Sequence, residues 1–127
     1  MSAELGGVVR RAADVPTKAV AAGVATQVQV LVGPAEGAPN FVLRRFIMGP
    51  GGGMPTHTNQ VEHEQYVLRG RARVSIGGQV HEVGPDATLF IPAGVPHAYQ
   101  VVESPFEFLC VVPNVPDEIR LAGAEGC

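Results

Sequence analysis

From Thr26 onward the chain is written in short runs in which apolar and polar positions alternate, broken by Gly, Pro and Asn. The runs cover residues 26–32, 41–48, 63–69, 71–76, 79–83, 88–91, 97–102 and 106–112. Successive side chains leave a strand on opposite sides, so a period of two marks a strand with one buried face. Eleven prolines and sixteen glycines lie mostly between the runs. Many short strands with such punctuation predict an all-β sandwich or barrel. Ile76-Gly77-Gly78-Gln79 predicts a two-residue hairpin turn, because both central residues tolerate positive φ. That turn sets Arg73 opposite Glu82, a cross-strand pair worth about 0.2–1 kcal/mol and therefore a mark of register only. No segment keeps a helical period over about eleven residues. Residues 1–25 are rich in Ala, Val and Gly with weak periodicity, and read as an N-terminal arm available to a partner subunit. Residues 26–127 then form one domain.

Composition narrows the function. A chain of 127 residues buries a real core. A net charge of −3 with a single lysine, Lys18, argues against nucleic-acid binding. No apolar run approaches the roughly 20 residues of a membrane helix. Met1-Ser2-Ala3-Glu4-Leu5 lacks the charged and apolar regions of a signal peptide, so a cytoplasmic location is expected. Two cysteines make no disulfide framework. The one bridge they allow, Cys110–Cys127, would involve the chain end, where residues usually fray. Cys110 sits in an apolar run with no local base, as a small buried hydrophobe does and a nucleophile does not.

The candidate chemistry gathers in two blocks. The first runs Gly51-Gly-Gly-Met-Pro-Thr-His57-Thr-Asn59-Gln-Val-Glu62-His63-Glu64-Gln65-Tyr66-Val-Leu-Arg-Gly70; the second is Pro92-Ala-Gly94-Val-Pro96-His97. Three of the four histidines lie here. Strand alternation places His57 with Asn59, His63 with Gln65 and Val67, and His97 with Tyr99 and Val101. Neutral imidazoles converging in a barrel are good ligands for a divalent transition metal. A one-residue slip would instead turn Glu62 and Glu64 inward; in the favoured register both are solvated, as is Glu82. His81 has no such partner and reads as a strand histidine near the hairpin. Gln65 and Tyr99 face the same cavity and are candidates for orienting substrate or water. In 41–48 each face carries one arginine, Arg44 or Arg45, and alternation alone does not choose between them.

These blocks resemble the cupin family. Gly51, His57, Asn59, His63 and Gly70 fill its first motif, G-x5-H-x-H-x3,4-E-x6-G, at matching spacing. Pro92, Gly94 and His97 fill its second, G-x5-P-x-G-x2-H-x3-N, with Asp86 where a glycine and Val101 where an asparagine would stand. The resemblance covers residues 26–112 and implies a double-stranded β-helix, the jelly-roll barrel. The stretch 62–70, with 40–44 and 108–110, is similar to small single-domain cupins in which a fourth histidine replaces the usual glutamate and manganese is bound. That similarity also favours Arg44 as the inward cation. Asn59 at the second histidine position leaves His57, His63 and His97 as ligands, with Asn59 as a weak oxygen donor and no carboxylate among them. One divalent metal (Mn, Fe, Ni, Cu or Zn) is expected per chain. The expected function is a metal-dependent, dioxygenase-like oxidoreductase acting on a small organic molecule. A Lewis-acid lyase or isomerase and a non-enzymatic binding or sensing module are the alternatives. Unpaired strand edges and the apolar arm, together with the usual state of cupins this size, lead to an expected homodimer.

Overall fold

The computed structural model describes residues 6–121. Its strands are β1 (Lys18–Ala19), β2 (Val24–Val32), β3 (Phe41–Thr58), β4 (His63–Ile76), β5 (Gln79–Val83), β6 (Thr88–Ile91), β7 (His97–Pro113) and β8 (Arg120–Leu121), with two short 3-10 turns at Ala12–Asp14 and Pro34–Glu36. All pairings are antiparallel, in the order β1-β2-β3-β7-β4-β5, with β6 on β4 and β8 on β3. The expected all-β cupin barrel is the fold found. Among the described residues no helix is long and apolar enough to cross a membrane.

Three long strands build it, and each belongs to both layers. The first half of β3 pairs with β2 and with the end of β7, and the start of β4 carries β6 beside them. The second half of β3 pairs with the start of β7 and with β8, and the end of β4 carries β5. Each long strand changes phase where it crosses. In β4 the buried positions are His63, Gln65 and Val67, then Ala72 and Val74. In β7 the buried alternating positions are His97 and Tyr99, then Phe106, Phe108, Cys110 and Val112, with Glu107 also buried beside them. This is why residues 63–69 and 71–76 read as two strands in the sequence, as do 97–102 and 106–112: the alternation restarts without the backbone leaving the sheet.

Gly70 makes the switch in β4. Its φ is +80°, and a Cβ there would run into the carbonyl oxygens of Pro105 and Glu103. Only glycine combines that conformation with so close a backbone approach. Asp86, at the glycine position of the second motif, adopts φ +72° itself, and its Oδ1 accepts a 2.6 Å hydrogen bond from the Tyr66 hydroxyl. Asp tolerates the left-handed region better than most non-glycine residues.

Between the layers pack Met48, Met54, Val67, Val74, Tyr99, Phe106 and Phe108, with Phe46 stacked on Phe108 at 5.1 Å. Emptying such a site, as in Phe108→Ala, costs about 3–5 kcal/mol. The hairpin forms at Gly77-Gly78 and pairs Arg73 with Glu82 in register, although the charged contact Glu82 makes is with Arg71, at 2.9 Å. His81 is exposed on β5. Residues 12–19 lie along β2 of the same chain: β1 pairs with it, and the buried Gln29 amide donates to the carbonyls of Ala12 and Val15, both at 2.8 Å. Cys110 is buried; Cys127, and with it any bridge to Cys110, lies outside the described residues.

Candidate functional site

The three motif histidines meet at one end of the barrel. His57 and His97 face each other across the β3–β7 ladder, their ring centroids 4.1 Å apart. His63 arrives from the opposite layer, 5.6 Å from the His97 ring. All three are buried, His97 to 1 % exposure. Pro55 and Val95 place a backbone carbonyl two residues before His57 and His97, and each accepts from the ring Nδ1, at 2.7 and 2.9 Å. Those bonds assign the proton to Nδ1 and leave the Nε2 lone pair free.

Burial holds the rings neutral. It lowers the His57 pKa against the opposing pull of the Pro55 carbonyl. Burial also lowers His63, helped by the Arg44 charge. His97 falls to about 4, chiefly by burial, with His57 and His63 adding to it. Three uncharged imidazoles therefore share one site at neutral pH.

The site leaves buried polar atoms unused. His97 Nε2, His63 Nδ1 and Asn59 Oδ1 are buried with no hydrogen-bond partner. A buried polar atom without a partner costs about 1–3 kcal/mol, so three together call for a missing binding partner. Among the described residues no group of three His, Cys, Asp or Glu side chains stands as a ready-made metal cage. The donor set nonetheless suits a divalent transition ion: neutral imidazoles and an amide oxygen, all desolvated, none committed elsewhere.

A cavity of about 270 Å³ opens from these side chains. Phe46, Met48, Met54 and Phe108 form its apolar walls; Gln65, Tyr99, Arg44 and Lys18 supply its other polar groups, and among the described residues no Asp or Glu lines it. Gln65 and the Tyr99 hydroxyl are bonded to each other at 2.7 and 3.0 Å. Burial pushes the Tyr99 pKa far above its ordinary value, so the hydroxyl keeps its proton. Arg44 points inward: its Nη2 lies 3.2 Å from Cys110 Sγ and its guanidinium 4.9 Å from the Phe46 ring centre. Arg45 points outward and pairs with Glu107. All the residues singled out by spacing thus meet at one cavity. Lys18 and Ile119 also line it, and Asp117 reaches Asn59 from outside. These three carry no motif spacing, and only the folding of the two terminal segments onto the barrel brings them there.

The cupin domain model matches residues 44–112, and the chain belongs to that family. Its fold and much of its sequence are similar to the polyketide cyclase RemF from Streptomyces resistomycificus: 32% identity over 91% of this chain and 87% of that one, with a TM-score of 0.81. A cupin-2 domain protein from Rhodospirillum rubrum superposes with a TM-score of 0.80 at 26% identity, over 94% and 83%. A cupin 2 domain-containing protein from Halorhodospira halophila gives 0.72 at 30% identity, over 79% and 72%. No curated protein matches the chain.

Proposed function

We propose that this cupin holds one divalent transition metal through His57, His63, His97 and Asn59 Oδ1, and uses it in non-redox ring-closing or related carbon–carbon chemistry on a small, anionic, carbonyl-rich molecule. The observation that carries this reading is the charge pattern of the cavity: neutral nitrogen donors at one end, the cations Arg44 and Lys18 in its lining, and no carboxylate among the described residues. An enolate or carboxylate fits such a lining, and a cation does not. The volume lies near the lower edge of ordinary ligand pockets, about 300–1,000 Å³, which sets the substrate size. Similarity to a polyketide cyclase, whose name implies a carbonyl-rich substrate, points the same way.

When bound, the metal supplies Lewis-acid polarisation of a substrate oxygen. The chain does the rest. Arg44 pairs with a developing or resident negative charge, and the low dielectric of the walls strengthens that pairing. The Tyr99 hydroxyl keeps its proton at Oη, so it is not a base; when it accepts from Gln65 Nε2, that proton is free to be donated to the substrate. Gln65 fixes where that hydroxyl points. Phe46 and Phe108 exclude water and offer flat faces to an unsaturated substrate.

The test is to purify the protein without a histidine tag, measure metal by elemental analysis, and assay ring closure of a small linear polyketone under argon with oxygen uptake followed in parallel. One equivalent of metal and anaerobic turnover are expected. Metal-dependent oxygen consumption would replace this reading with the oxidative one; saturable binding without turnover would make the chain a binding module. Absence of metal after reconstitution would overturn all metal-centred readings. We further propose a homodimer, supported by Phe41, Tyr66, Leu68 and Phe90, exposed on β3, β4 and β6. Light scattering checks this, and a mass near 13.3 kDa would rule it out.

A further inference from the structure

Asn59 follows β3 directly, and the direction of its amide is what makes it useful. Its Nδ2 donates to Asp117 Oδ2 at 2.9 Å. A carboxylate only accepts, so this bond identifies which end of the amide is nitrogen. Asn59 lines the cavity beside the three histidines and Asp117 does not. With the nitrogen turned to Asp117, the oxygen is left on the cavity side, where it is buried without a partner. The second oxygen of Asp117 accepts from the Gln60 backbone N–H at 2.7 Å, so the carboxylate is clamped against the same turn by two bonds. Its charge also acts on all three histidines, opposing the effect of burial on each.

Resting on the metal reading above, we infer that Asp117 is a positioning residue for the metal site. It holds Asn59 with Oδ1 presented as a ligand, and so places one carboxylate just behind a ligand set that contains none. Without it, the amide of Asn59 is free to rotate and offer nitrogen, which carries no lone pair for a metal. The neutral oxygen becomes a better donor when its own N–H is bonded to an anion, as a ligating histidine does when a carboxylate orients it. Asp117 lies on the segment after β7 that also sends Ile119 into the cavity and ends in β8, paired to β3 at His57 and Thr58. The same contact therefore ties that segment to the metal site.

The test is Co²⁺ binding to metal-free protein, measured by chelator competition and by visible absorption, in the wild type, Asp117→Ala, Asn59→Ala and the double variant. Asp117→Ala should weaken Co²⁺ about tenfold and change the absorption spectrum as Asn59→Ala does. In the Asn59→Ala background the same substitution should cost less than about twofold, since its route to the metal is gone. Equal affinity in wild type and Asp117→Ala would overturn the inference, as would a loss in the double variant equal to the product of the single losses. If the wild type itself takes up no Co²⁺, the metal reading fails with it; if the wild type binds and only the Asp117 effect is missing, this inference alone falls.

Discussion

Arg44 and Arg45 are neighbours on β3, yet the sheet sends them to opposite fates. Arg45 faces outward into a network: it pairs with Glu107, which Arg69 also approaches at 3.9 Å, and it reaches Gln29, whose amide secures the carbonyls of Ala12 and Val15. Arg44 faces inward and, among the described residues, meets no carboxylate; its contacts are a thiol and an aromatic face. The same division separates the two faces at large. Outside, most buried polar groups are matched by partners of the same chain. Arg45 Nε is the exception there; inside, His97 Nε2, His63 Nδ1, Asn59 Oδ1 and Arg44 Nε are all left open. Matched charge holds a fold together, and unmatched polarity in a dry cavity is where a ligand can be recognised.

The comparison can be broken by exchanging the roles. On the inner face, His97→Ala should abolish stoichiometric metal binding in elemental analysis while the fold survives by circular dichroism. On the outer face, Glu107→Ala should leave metal content intact and cost about 3 kcal/mol in chemical denaturation, because it strands the Arg45 cation. Acid should destabilise the metal-free protein through its inner face. His97 has its pKa near 4 when folded, below its ordinary 6.5, so the unfolded chain binds the extra proton first. Stability is then whole above pH 6.5 and falls as pH drops toward 4, by roughly 3 kcal/mol for His97; His97→Gln should flatten that slope. Arg44→Met should change stability by less than about 1 kcal/mol yet weaken an anionic substrate analogue about tenfold in calorimetry. Loss of stability comparable to Glu107→Ala would show that Arg44 is structural after all. Smallest of all, Glu82→Gln should shift stability by under about 0.5 kcal/mol, since its pair with Arg71 is open to solvent.

Much of the site is legible before any folding, for a simple reason. Side chains on strands recur at fixed offsets from the glycines and prolines that turn the chain, so His57, His63 and His97 stand out by their spacing in the cupin-like motifs, and Gln65 and Tyr99 follow from alternation two residues on. The hairpin at Gly77-Gly78 is equally local. The faces of Arg44 and Arg45 are not, because both alternating sets in 41–48 are apolar enough to be buried; the pairing of β3 with β2 and β7 decides between them. Nor does the sequence show that 63–69 and 71–76 are one strand, because a bulge at Gly70 shifts the phase in the same way a turn would.

The sequence by itself therefore determined the all-β strand pattern and the three clustered imidazoles, which rest on short-range stereochemistry, while the barrel and the departure at position 59 were legible through the resemblance to the cupin motifs. Only the tertiary structure decided that the N-terminal segment brings Lys18 to the cavity, that Asp117 reaches Asn59 from fifty-eight residues away, and that one arginine is answered while its neighbour is not. Contacts between segments distant in the chain have no period to betray them; they exist only once the layers close over a common core.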